Sequence, residues 1–295
     1  MMRIALFLAT NLAIVIVASI TLNLLGVNHY LEQSGQLNLT SLLIFCAVFG
    51  MTGSIISLLL SKFIAKRSAR VQVITQPSSD IEHWLVSTVE ELAAKAGIGK
   101  PEIGIFPAQQ SNAFATGWNK NNALVAVSEG LLRNMTRAEA KAVIGHEIAH
   151  IANGDMITLT LIQGVINTFV MFFARIIGTF IDRAVFKNDR GHGIGYFMVV
   201  MVCEMVLGIL ASTIVMWFSR YREYRADAGG AALTDPRSMI AALEALKREY
   251  EAPNELPDSM VAFGINGSKK NAFAKLLMSH PPLEMRIAAL KTINS

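Results

Sequence analysis

Four apolar runs, at 4–25, 42–60, 157–181 and 194–218, constrain this chain more than any other feature. As helices, each is long enough to cross a hydrocarbon core of about 30 Å. A backbone at that depth must satisfy its own hydrogen bonds, which leaves helices or a closed barrel. Composition agrees: of 295 residues, 53% are hydrophobic and only 16% charged, against about 25% charged in soluble domains. The net charge of +4 is modest for this length. Its basic residues gather at membrane borders rather than along a groove, which argues against a nucleic-acid partner. Cys46 and Cys203 both fall in apolar runs. They read as small apolar side chains, not as a disulfide framework or a thiolate metal site.

The first run follows Arg3 and lacks a small-residue cleavage site, so it reads as a retained signal anchor. The loop before the second run holds Glu32 but no Lys or Arg, whereas Lys62, Lys66, Arg67 and Arg70 follow that run. The positive-inside rule then places the loop outside and the chain after Lys62 in the cytoplasm. Runs three and four carry Gln163, Asn167, Arg175 and Glu204. Charges in lipid require partners, and Arg175 and Glu204 would pair across an antiparallel helix hairpin. Arg183, Lys187 and Arg190 in its loop run against an outside location.

The expected organisation is a membrane anchor of two helices at 1–61, a first soluble segment at 62–156, an apolar hairpin at 157–218, and a second soluble segment at 219–295. The fold class is α+β, mainly α, with four transmembrane helices and a small antiparallel sheet. Asp80 can cap a helix over 81–96 that stops at Gly97 and turns Trp84, Leu85, Val89 and Leu92 inward. Strands are expected at 102–106, 112–116 and 123–128, with a turn at 117–122. Thr136 and Glu139 form a capping box for a helix ending at Asn153-Gly154. Asp235-Pro236 opens a helix with Met239, Ile240, Leu243 and Leu246 as its apolar stripe, a polar loop spans 253–270, and a last short helix follows His280-Pro281-Pro282.

The capped helix carries His146-Glu147-Ile148-Ala149-His150. Histidines four apart stand one turn above each other, so both imidazoles can face one ion. A catalytic zinc takes three protein ligands and keeps a position open for water. The third ligand is expected at Glu223, in Glu223-Tyr224-Arg225-Ala226-Asp227, where Glu223 and Asp227 share a helix face. Asp227 would accept the second N–H of a ligand histidine, His146, and fix its tautomer. A two-helix hairpin between His150 and Glu223 would return the chain to the same membrane face. Glu147 would take a proton from water and pass it to the departing amine.

Blander readings stand beside these. Glu223 and Asp227 can pair with Arg222 and Arg225 as juxtamembrane ion pairs, and His280 can merely begin a helix. His29, His83 and His192 have no partner spacing. A membrane scaffold or quality-control adaptor that binds zinc without hydrolysis is the alternative function. Glu147 argues against it, because a structural zinc site needs no base and is closed by four ligands. A transporter is disfavoured by the size of the soluble portion and the lack of paired broken helices.

H-E-I-A-H-I-A-N-G-D (146–155), S-N-A-F-A-T-G (111–117), R-E-Y-R-A-D (222–227) and S-H-P-P-L-E-M-R-I (279–287) resemble the HtpX family of bacterial heat-shock membrane zinc proteases, relatives of the CAAX prenyl proteases. The likeness covers essentially the whole chain, including the order of its apolar runs. It implies a gluzincin-type endopeptidase of the inner membrane, facing the cytoplasm, that cleaves damaged or misfolded membrane proteins. It implies one zinc on His146, His150 and Glu223, with Glu147 as base. It further implies a cleft-side strand at Asn112, Ala113, Phe114 and Ala115 to which substrate adds, an oxyanion-stabilising role for His280, and support from Arg286 through Asp227.

Overall fold

A computed structural model describes residues 38–188, 193–251 and 280–293. The first apolar run, the loop with Glu32 and the segment 253–270 lie outside the described residues. Twelve elements are described: α1 (Leu39–Ser68), β1 (Gln72–Val73), α2 (Asp80–Lys95), β2 (Glu102–Phe106), β3 (Ala113–Asn119), β4 (Asn122–Ser128), α3 (Glu129–Asn134), α4 (Arg137–Asn153), α5 (Asp155–Ala184), α6 (Ile194–Leu233), α7 (Pro236–Glu251) and α8 (Leu283–Ile293).

Among the described residues, three helices are long and apolar enough to cross a membrane: α1, α5 and α6. Phe63, Phe180, Phe197 and Trp217 on these helices are each 60–66% exposed. Large apolar side chains displayed in such number face lipid, not water. The described residues fall into two compact units, one drawn from 38–57 and 160–215, the other from 58–159 and 216–293. In the first, Leu39, Leu43, Cys46 and Phe172 form a small core. Arg175 donates to Glu204 at 2.9 Å and to the Met171 carbonyl at 3.0 Å, the partnership expected of two charges within apolar helices.

The second unit is built on a four-stranded sheet in the order β1-β2-β4-β3. The expected antiparallel sheet is corrected here to a mixed one. β3 and β4 form an antiparallel hairpin, but β4 then enters between β3 and β2 and runs parallel to β2. The cause lies in β4, where Ala123 to Ser128 are all buried without alternation. A strand apolar on both faces belongs inside a sheet, where parallel pairing is at home. The expected strand over 112–116 also continues to Asn119, and β1 adds an antiparallel edge that had no signal of its own.

Helices cover this sheet. α2 starts at a Ser79 cap rather than the expected Asp80, and Leu85, Val89 and Leu92 are fully buried, while Trp84 is half-buried under Arg137. α4 has the full capping box, and its end is fixed by Gly154 at φ 67°. That left-handed conformation suits glycine and closes the last turn. Ile144, Ile148 and Ile151 of α4 join Val125 and Val127 of the sheet, Met239 and Leu243 of α7, and Leu290 of α8 in one core. Burying that face of α4 presents His146, Glu147 and His150 on another.

Candidate active site

Three elements of the second unit converge on the α4 histidines. α4 supplies His146 and His150. α6 continues without a break past the apolar run and carries Glu223 and Asp227 one turn apart. α8 contributes Arg286, and His280 stands just before it. The approach of α6 to α4 depends on small residues. A Cβ on Gly230 would lie 2.9 Å from the His146 nitrogen and 3.0 Å from its Cα, and a Cβ on Gly229 would lie 2.8 Å from the Ala149 Cβ. Only glycine lets the two backbones come this close.

His146 Nε2 and His150 Nε2 are 3.1 Å apart. Glu223 Oε2 is 3.5 Å from His146 Nε2, and Oε1 is 3.3 Å from His150 Nε2. These ligand atoms therefore form a triangle, all within 4.8 Å of one another. Zinc–nitrogen bonds of about 2.0–2.1 Å in tetrahedral geometry separate neighbouring ligand atoms by about 3.3 Å. The triangle has the right size for such an ion. Charge agrees with size: with both imidazoles neutral, as ligation requires, Asp155, Glu223 and Asp227 outnumber the nearby buried guanidiniums of Arg222 and Arg286. A divalent cation would offset the surplus that costs most in a low dielectric.

The opposite ring nitrogens are anchored. His146 Nδ1 lies 2.9 Å from Asp227 Oδ1, the contact expected from the spacing. His150 Nδ1 lies 2.7 Å from Asp155 Oδ2, a partner the sequence reading did not single out. Asp155 is the residue after the helix-ending Gly154, so no periodic signal relates it to His150. Burial works against charge on both imidazoles. Asp227 and Glu223 outweigh it at His146, and Asp155 and Glu223 push His150 up to about 9. Burial likewise opposes charge on Glu223, which lies beyond the apolar run, yet hydrogen bonds from His146, His150 and His280 hold it well below the usual carboxylate range. The pocket thus favours positive charge at its centre.

Arg286 binds Asp227 through two bonds, Nε to Oδ2 at 2.8 Å and Nη2 to Oδ1 at 2.6 Å. Its Nη1 also lies 3.3 Å from Glu223 Oε2, a contact beyond the expected one. His280 Nδ1 is 2.7 Å from Glu223 Oε2, and its side chain is 62% exposed. Glu147 is half-buried and makes no hydrogen bond to another described residue, while its charge reaches both His150 and Arg286. Its carboxylate lone pairs are therefore not engaged by any described residue.

β3 packs against α4 and forms the sheet's outer edge. Ser128 N–H donates to the Asn112 carbonyl at 2.8 Å, which makes 112/128 a hydrogen-bonded pair. The antiparallel ladder then alternates, so Ala113 and Ala115, opposite Val127 and Val125, turn their N–H and C=O to the open edge. Phe114 lies between them and points its main-chain groups at β4.

The family described as Peptidase family M48 matches residues 79–294 of the chain. "Protease HtpX" of Hahella chejuensis is 67% identical over 290 residues, covering 98% of this chain and 99% of that one. "Protease HtpX" of Ectopseudomonas mendocina is 62% identical over 293 residues, covering 99% and 100%. Among solved structures, the crystal structure of S. mikatae Ste24p superposes with a TM-score of 0.60 at 18% identity, covering 97% of this chain and 67% of that chain. This last likeness concerns the fold.

Proposed function

Because the chain belongs to peptidase family M48, and within it to the HtpX membrane metalloendopeptidases, we propose that it is a zinc endopeptidase with His146, His150 and Glu223 as ligands and Glu147 as general base. The observation that carries this reading is the triangle of three candidate ligand atoms beside a carboxylate with no side-chain hydrogen bond to another described residue. Zinc, when bound, makes a water acidic and polarises the scissile carbonyl. Glu147 takes the proton of the attacking water and delivers it to the departing amine, so no covalent intermediate is needed.

The remaining residues hold this arrangement. Asp227 fixes the tautomer of His146 so that Nε2 offers its lone pair, and Arg286 holds Asp227 and Glu223 together. His280 donates through Nδ1 to Glu223. To donate to a developing oxyanion through Nε2 as well, it must be doubly protonated, so its contribution depends on its charge state. A substrate in extended form adds to β3, exchanging main-chain hydrogen bonds with Ala113 and Ala115 while side chains at Asn112 and Phe114 border the strand. Recognition by backbone tolerates many sequences, which suits misfolded or damaged membrane proteins. Lys66 and Arg67 in the last turn of α1 support a catalytic unit on the cytoplasmic side of the bacterial inner membrane.

A Glu147→Gln variant separates the enzyme from a zinc-binding adaptor. The enzyme reading requires casein cleavage to fall by about 10²–10⁴-fold with zinc retained. Undiminished cleavage would overturn it.

A further inference from the structure

His146 and His150 are each backed by a carboxylate, but the two carboxylates are held differently. Asp227 shares α6 with the ligand Glu223 and is clamped by Arg286. Asp155 is the first residue of α5, the helix that leaves the site for the membrane. It is 3% exposed, and its side chain meets His150 Nδ1 at 2.7 Å. Its carbonyl accepts from Arg222 Nη1 at 3.0 Å. Arg222 is itself 8% exposed, is braced by Ser219 Oγ at 3.3 Å, and directly precedes Glu223.

We infer that Asp155 is a positioning residue for the metal site. It fixes His150 with the proton on Nδ1, so that Nε2 faces Glu223 as a lone-pair donor. Arg222 staples Asp155 to the helix that supplies the third ligand. The link has a consequence for assembly. His150 lies in the last turn of α4, Asp155 opens α5, and only the Gly154 turn with its φ of 67° separates the two helices. The start of the membrane hairpin is thus part of what orients the second ligand. A free imidazole samples both tautomers and rotates about χ2. A buried carboxylate at 2.7 Å removes that freedom and raises the basicity of the ligating nitrogen.

This inference rests on the zinc reading, and its test keeps the two apart. Co2+ is titrated into metal-free, detergent-solubilised full-length protein and followed by its visible absorption, alongside the thermal midpoint of the metal-free form. The wild type must bind Co2+ with the bands of a tetrahedral site; no binding would sink the zinc reading itself. Asp155→Ala is expected to weaken Co2+ binding by about 10–100-fold and shift its bands, with the metal-free midpoint little changed. Asp155→Asn can still accept from Nδ1–H and is expected to recover part of the affinity. Affinity and bands equal to wild type in Asp155→Ala would overturn the inference. So would a fall in midpoint and affinity together that Asp155→Asn does not relieve, since that is the behaviour of a helix-start residue alone.

Discussion

Two clusters of charge among the described residues are balanced differently. In the apolar unit, Arg175 meets Glu204 at 2.9 Å, with the Met171 carbonyl accepting a further bond and the Phe45 ring 6.0 Å from the guanidinium. Gln163 and Asn167 likewise pair with each other at 2.8 Å. In the catalytic unit, three buried carboxylates surround two imidazoles with only two buried guanidiniums near them. The first arrangement is closed and leaves nothing to bind. The second has a surplus of acceptors aimed at one point, which a bound divalent cation would offset.

The contrast breaks most visibly at Glu223. Glu223→Ala removes a proposed ligand and one acid of the surplus at once, and we expect metal content to fall below a tenth of wild type and cleavage to vanish, as read by metal analysis and casein hydrolysis. Next comes the spacing that lets the surplus form. Gly230→Ala sets a methyl against the His146 backbone, which cannot retreat as a flexible side chain would. Overpacking of this kind costs about 1–3 kcal/mol, and cleavage should drop at least tenfold with a lower thermal midpoint. In the closed pair, either Arg175→Met or Glu204→Met leaves an unmatched charge in lipid and should lower the yield of inserted protein. The double variant should restore it, because replacing a buried pair by apolar residues is often neutral. Surviving protein should cleave casein at the wild-type rate, since this pair takes no part in catalysis.

The smallest effect belongs to a surface cluster of Glu91 with Lys95 and Lys141. Hydrogen bonds from Lys141 and Lys95 lower Glu91 to about 2. With its folded value depressed, its contribution is complete above the ordinary carboxylate pKa of about 4.3 and is lost as pH falls towards 2. Glu91→Gln should therefore flatten the acid limb of a melting-against-pH curve slightly. Because both partners are solvent-exposed, high salt should erase the difference.

The same contrast explains what could be read in advance. The α4 helix obeys short-range rules throughout. Thr136 and Glu139 are three apart, His146 and His150 four apart, and Gly154 ends it, so cap, histidine spacing and terminus were all visible in one stretch of sequence. The apolar helices are equally local, being a matter of run length. Glu223 and Asp227 share a face by the same four-residue rule, and only their meeting with α4 needed the topological argument of a returning hairpin. What was not visible is what depends on pairings distant in sequence. Nothing in the strands stated that β4 would enter between β2 and β3, although its unbroken run of buried residues explains it afterwards. Gly229 and Gly230 carry no mark of the backbone they approach. Asp155 stands across a helix break from the histidine it holds, where neither 3.6-residue periodicity nor a capping pattern applies.

The central claim, an ion held by His146, His150 and Glu223 with Glu147 as the base beside it, is tested most directly by measuring zinc content and casein cleavage together on three purified proteins. The account predicts about one zinc per chain with cleavage for the wild type, about one zinc without cleavage for Glu147→Gln, and neither for His150→Ala. Full zinc in His150→Ala, or wild-type cleavage by Glu147→Gln, would contradict it.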